Sequence, residues 1–265
     1  MNQTYTFEQL VSIMRKLRAP GGCPWDAEQT HESLTRYLLE ETYEVIEAID
    51  EKSPQHLKEE LGDLLLQPIF HAAIAEESGD FAIGDVIATL CDKLIRRHPH
   101  VFGGDLEIRD SAQQIENWEK IKQLEKGVER PSALSGVPDH LPALMKAHKI
   151  SEKASRVGFD WEHADQVFAK VMEELHEFEE AWAGGNPERM EDELGDLLFA
   201  IANLGRFLSL NPEEALRKTI TRFQKRFRFV EEELLRQGVA MQNATLEEMD
   251  ELWEKAKCAE RMGQS

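Results

Sequence analysis

The chain is short of cysteine, aromatic residues and positive charge, and it has no long apolar run. Its three cysteines, Cys23, Cys91 and Cys258, are scattered and odd in number. They form no disulfide framework and fit a reducing compartment. Nothing approaches the ~20 apolar residues of a membrane span. The start, Met1-Asn2-Gln3-Thr4, lacks the basic-then-apolar pattern of a signal peptide. The expectation is therefore a cytoplasmic protein with no membrane partner. Lys and Arg total 31 against 51 Asp and Glu, a net charge of −20. A nucleic-acid polymer is a poor partner for such a surface, because phosphate contacts need a basic face. A small polyphosphate that brings its own metal ions remains open, since bound cations invert the local field. No alternating stretch reads as a strand.

What is present is a repeat. Glu40-Glu41-x-x-Glu44 is followed by Glu60-Leu61-Gly62-Asp63, and Glu173-Glu174-x-x-Glu177 by Glu193-Leu194-Gly195-Asp196. Each acid of the second copy lies 133 residues after its counterpart. The two halves, 1–127 and 128–265, each have an ordinary domain size. The Gly-, Pro- and Ser-containing stretch from Gly127 to Pro142 is the expected linker.

The halves read as helical throughout. Val167, Val171, Leu175, Phe178 and Trp182 recur at helical steps. Gly184-Gly185 ends that helix, and Asn186-Pro187 caps and opens the next. The first half repeats this with a helix at 31–50, then Ser53-Pro54 and a second helix that Pro68 should kink. Third helices are expected near 83–97 and 213–237, the latter after Asn211-Pro212. Fourth helices open with the capping-box patterns Ser111-x-x-Gln114 and Thr245-x-x-Glu248. Both run into Trp-Glu-Lys-x-Lys, at Trp118–Lys122 and Trp253–Lys257.

At about 100° per residue, Glu174 and Glu177 share a helix face, as do Glu193 and Asp196. The short Asn186-Pro187 connection makes the two helices antiparallel neighbours. Gly195, at a cost of about 1 kcal/mol relative to Ala in a helix, is expected to permit close helix approach. Four facing carboxylates offer hard oxygen ligands that suit Mg²⁺, with Mn²⁺ as a substitute. A single Glu-x-x-Glu would be a solvated acidic face. The whole pattern twice, each time leading into an apolar helix, is not. Glu173-x-x-His176 matches one step of a di-iron bundle, but no second such step follows, and His176 is assigned to the surface.

A polyphosphate also needs fixed cations. Arg222 and Arg226 stand one turn apart, with Lys93 and Arg97 at the matching places. Arginine's planar fork can bond two phosphate oxygens. Lys170 and Arg189 lie one turn before Glu174 and Glu193, where the first half has Tyr37 and His56. The second half is thus expected to be the main site. The first, with Glu41, Glu44, Glu60, Asp63, Lys93 and Arg97, is expected to be weak or structural. Trp253 is either core or a platform for a base.

Together these motifs resemble the MazG family of all-α nucleoside triphosphate pyrophosphohydrolases. The resemblance rests also on Cys23-Pro24-Trp25-Asp26, Arg96-Arg97-His98-Pro99-His100-Val101-Phe102 and Gly158-Phe159-Asp160-Trp161, and runs from about Leu10 to Lys257. It implies two tandem helical-bundle domains, with four-helix packing completed in a homodimer. It implies Mg²⁺-dependent hydrolysis of nucleoside triphosphates to monophosphate and pyrophosphate, with broad base tolerance and a nucleotide-pool house-cleaning role. It further implies metal ligation by Glu174, Glu177, Glu193 and Asp196, and nucleotide contacts from Lys170, Glu173, Arg189, Arg222, Arg226 and Trp253. A narrower deoxynucleotide or damaged-nucleotide hydrolase is one alternative. A non-catalytic nucleotide-sensing scaffold is another.

Overall fold

A computed structural model describes residues 4–103, 108–111, 113–115, 117–118, 121 and 132–263. The expected junction at 127/128, the linker as far as residue 131, and Lys122 lie outside them. The chain divides into two compact units, Met1–Lys126 and Gly127–Ser265. Each is helical, with no strand among the described residues.

The first unit contains α1 (Phe7–Arg18), α2 (Pro24–Glu28), α3 (His31–Asp50), α4 (Pro54–Ser78), α5 (Ile83–Arg97) and α6 (Pro99–Phe102). The second contains α7 (Ala143–Ser155), α8 (Ala164–Gly184), α9 (Pro187–Phe207), α10 (Pro212–Arg236), a 3₁₀ turn (Met241–Asn243) and α11 (Leu246–Gly263). The long pairs α3/α4 and α8/α9 are the frame of each unit.

Local sequence explains the boundaries. The Asn186 side chain accepts from the amides of Glu188 and Arg189, and Pro187 occupies the first helical position. Asn211 and Ser53 do the same before Pro212 and Pro54. Gly185 closes α8 at φ 68°, a conformation that suits glycine. Thr245 and Glu248 form the expected reciprocal cap, at 2.8 and 3.2 Å. In the first unit the cap falls one residue earlier than expected. Asp110 Oδ1 accepts from the Gln113 amide at 2.8 Å, and Gln113 Oε1 accepts from the Arg109 amide at 3.0 Å. Aspartate is at least as good an N-cap as serine, so Asp110 takes the role assigned to Ser111. α4 runs continuously through Pro68.

The first core gathers Val11, Met14, Leu34, Ile69, Phe70 and Ala73 from α1, α3 and α4. The second core cluster joins α10 to α11 through Val230, Leu234 and Leu252. Full burial of each large side chain contributes about 1.5–3 kcal/mol. Other apolar positions stay exposed, among them Leu198, Phe199, Ile201 and Leu208 on α9.

Gly195 does not serve close helix packing. A Cβ there, or at Gly62, would meet nothing within 4 Å. Both glycines face open space beside the acids.

Candidate acidic centre

In the second unit, α8 supplies Glu174 and Glu177, and α9 supplies Glu193. Their carboxylate oxygens all lie within 4.8 Å of one another. Glu174 is buried and the other two are half-buried. Burial raises the Glu177 carboxyl above its usual range, and the negative charges of Glu174 and Glu193 add to the effect. Like charges this close resist joint ionisation, so the centre is built to receive positive charge.

Some of that charge comes from the chain. Lys170 Nζ sits 2.7 Å from an oxygen of Glu173 and 2.7 Å from an oxygen of Glu174. Those bonds push its ammonium pKa up, Glu173 first. Arg189 Nε lies 3.3 Å from Glu193, and its Nη2 lies 3.7 Å from Glu180. Glu180, exposed at the rim, drew no notice in the sequence. Its only signal was the Glu47 at the matching place. Asp196 is exposed and stands outside the close trio, one turn beyond Glu193. Glu173 is exposed at the edge. His176 is a surface residue, 3.6 and 3.5 Å from Glu179 and Glu180.

The first unit repeats the trio with Glu41, Glu44 and Glu60, again within 4.8 Å. Burial raises the Glu41 carboxyl, and Glu44, Asp63 and Glu60 raise it further. Its cations differ. His56 stands at the place of Arg189, 2.8 Å from Glu51 and 3.1 Å from Glu60, and Glu51 chiefly raises its pKa. Tyr37 stands at the place of Lys170 and carries the Arg36 guanidinium over its ring at 4.4 Å. Lys93 and Arg97 are half-buried on α5.

Arg222, Arg226 and Trp253 form a second group, between α10 and α11. They are not joined to the trio by any hydrogen bond or ion pair among the described residues. Arg222 Nη2 donates to Thr219 Oγ1 at 2.8 Å. Arg226 donates through Nε and Nη2 to one oxygen of Glu260, at 2.9 and 2.8 Å. Both arginines line a groove of about 540 Å³ with Lys225 and Arg228. Trp253 is half-buried against the second core, 5.0 Å from the Phe223 ring and 5.7 Å from the Arg226 guanidinium carbon. Its role as core is met by these contacts.

Two helical units, each holding three carboxylates across an antiparallel helix pair, define an all-α protein with a duplicated acidic centre. The model of the MazG nucleotide pyrophosphohydrolase domain matches residues 29–102 and again 163–230. The chain is 52% identical over 251 residues to a Thermotoga maritima protein named nucleoside triphosphate pyrophosphohydrolase/pyrophosphatase MazG, covering 95% of each. It is 44% identical over 261 residues to the Escherichia coli K12 nucleoside triphosphate pyrophosphohydrolase, covering 97% of this chain and 98% of that one. The chain belongs to the MazG family.

Proposed function

We propose that this protein hydrolyses nucleoside triphosphates at the α–β bridge, releasing monophosphate and pyrophosphate, and that the second unit does most of the work. The observation that carries the reading is the trio Glu174, Glu177 and Glu193, flanked by Lys170 and Arg189. The printed names of the relatives support the same chemistry.

The donor set fits Mg²⁺, or Mn²⁺ in its place: hard carboxylate oxygens, mutually repelling and partly desolvated. Glu174, Glu177 and Glu193 would hold the ion, and Asp196, one turn on, would complete the set. Bound there, Mg²⁺ supplies charge neutralisation and a more acidic water. Glu173 lies beside Glu174 at the solvent edge, where it can orient a water or accept its proton. One water oxygen–phosphorus bond forms and one bridging oxygen–phosphorus bond breaks, with pyrophosphate as a product. Lys170 and Arg189 offset the charge that gathers on the phosphates, and Arg222 and Arg226 extend that cation set. The exposed apolar stripe of α9 supports a homodimer, and the reaction is assigned broad base tolerance and a role in clearing the nucleotide pool.

The test is product analysis with each nucleoside triphosphate and Mg²⁺, for wild type and Glu193→Ala. Monophosphate and pyrophosphate, lost in the variant, are expected. Diphosphate and phosphate would overturn the choice of bond, and absence of turnover would overturn the enzyme reading.

A further inference from the structure

A cavity of about 410 Å³ opens in the second unit between α7, the loop after it and α9. Ile150, Ala154, Phe159, Trp161 and Phe199 wall it. Two of those rings are unusually bare, Phe159 at 82% exposure and Phe199 at 44%. Ser151 also lines it. That residue is 7% exposed, and its buried hydroxyl has no hydrogen-bond partner. Leaving such a group unpaired costs about 1–3 kcal/mol, so the hydroxyl is a vacant handle. Asn203 stands on the cavity wall with its Oδ1 taken by Arg206 Nε at 2.9 Å. Arg206 is itself held by both carboxylate oxygens of Asp160. This pinning leaves the Asn203 amide nitrogen as the donor available to a ligand.

The cavity is continuous with the acidic centre along one helix. Asp196, Phe199, Asn203 and Arg206 follow at steps of three, four and three residues, so they share a face of α9. At 1.5 Å per residue, Phe199 lies about 4.5 Å and Asn203 about 10 Å along the axis from Asp196. That is the span between the phosphates and the base of an extended nucleotide.

The first unit shows what fills the same place when no ligand is to enter. At the 133-residue offset of the acids, Arg18 stands for Ser151 and Phe70 for Asn203. Arg18 and Ser151 are both buried. The Arg18 guanidinium carbon lies 5.3 Å from the centre of the Phe70 ring, and the Trp25 ring lies 6.5 Å from it. Arg18 is locked there by Glu77 at 2.7 and 2.8 Å. Large side chains occupy in one unit the space that serine and asparagine leave open in the other.

We infer that the α7/α9 cavity is the pocket for the nucleobase. Aromatic walls would take the flat ring, and Ser151 Oγ and Asn203 Nδ2 would read its polar edge. The inference rests on the pyrophosphohydrolase reading for its substrate class. It makes Ser151 and Asn203 specificity residues, and it denies a nucleoside pocket to the first unit.

Two measurements on the full chain test it. The first is binding of adenosine, guanosine, cytidine and uridine, free of phosphate, by ligand-observed NMR. Asn203→Phe, which restores the first unit's residue, should abolish the signal. The second is hydrolysis of the triphosphates. Asn203→Phe should raise KM at least tenfold, while competitive inhibition by inorganic tripolyphosphate stays unchanged. Ser151→Ala, a milder change, should raise KM unequally among the four bases. Equal nucleoside binding and KM in wild type and Asn203→Phe would overturn the proposal and leave the hydrolase reading intact. Nucleoside binding lost in Asn203→Phe, with no hydrolysis by wild type, would uphold the pocket and sink the hydrolase reading. If Asn203→Phe loses its folded circular dichroism signal, Ser151→Ala decides, and an identical KM for all bases overturns the proposal.

Discussion

Lys170 Nζ lies 2.7 Å from Glu174, the one buried acid among the described residues. No equivalent cation touches Glu41, where Tyr37 replaces the lysine. The pairing partly neutralises a carboxylate that could not otherwise stay charged out of water. Lys170→Met should reduce kcat/KM by about tenfold or more, because a charge facing the transition state is lost. Its acid limb should also move to higher pH, because the neighbouring carboxyls lose a stabilising charge. Stability should fall by only about 1 kcal/mol or less, since the ammonium is more than a third exposed. A pH–rate profile beside a thermal melt separates the two effects.

Substitution of the matched acids should be asymmetric. Glu193→Ala is expected to remove turnover, whereas Glu60→Ala should keep most of it. Steady-state rates of the two variants against the same triphosphate settle which unit works. The reverse ranking would mean that His56 serves better than Arg189.

The raised carboxyls of Glu41 and Glu177 carry a stability signature. Each folded pKa lies above its unfolded value, so the native state binds the extra proton. Without metal, their contribution is fully present below the unfolded value of about 4.5 and is lost as pH rises through the folded pKa. The Tm in EDTA should therefore fall over that window, and Glu177→Gln should flatten the fall. Mg²⁺ at a hundred times its Kd should restore about 2.7 kcal/mol, and Glu193→Ala should abolish much of that gain.

His31 and His71 stack with their Nδ1 atoms 2.8 Å apart. One ring must donate and the other accept, so at least one is neutral. Burial, then the charge of His31, lowers the His71 pKa. A depressed histidine pKa gives stability above the unfolded value of about 6.5, lost as pH falls through the folded pKa. Ring-proton NMR should show His71 titrating below an ordinary histidine. An unshifted curve would remove this contact as a source of acid sensitivity.

The sequence by itself determined the helices, the turns and the duplication. Asn186-Pro187, Asn211-Pro212 and Thr245-x-x-Glu248 act through atoms within a few residues of one another, so their outcome is local. Glu174, Glu177 and Glu193 were legible because helical periodicity and a short connection bring them to one seam. Only the tertiary structure set Asp196 outside the close trio, locked Arg226 onto Glu260 and left the space beside Gly195 open. It also decided that Arg18 and Phe70 fill one unit where Ser151 and Asn203 leave a cavity in the other. These outcomes depend on side chains from helices far apart in the chain meeting in a shared volume, and no local spacing encodes how that volume is filled.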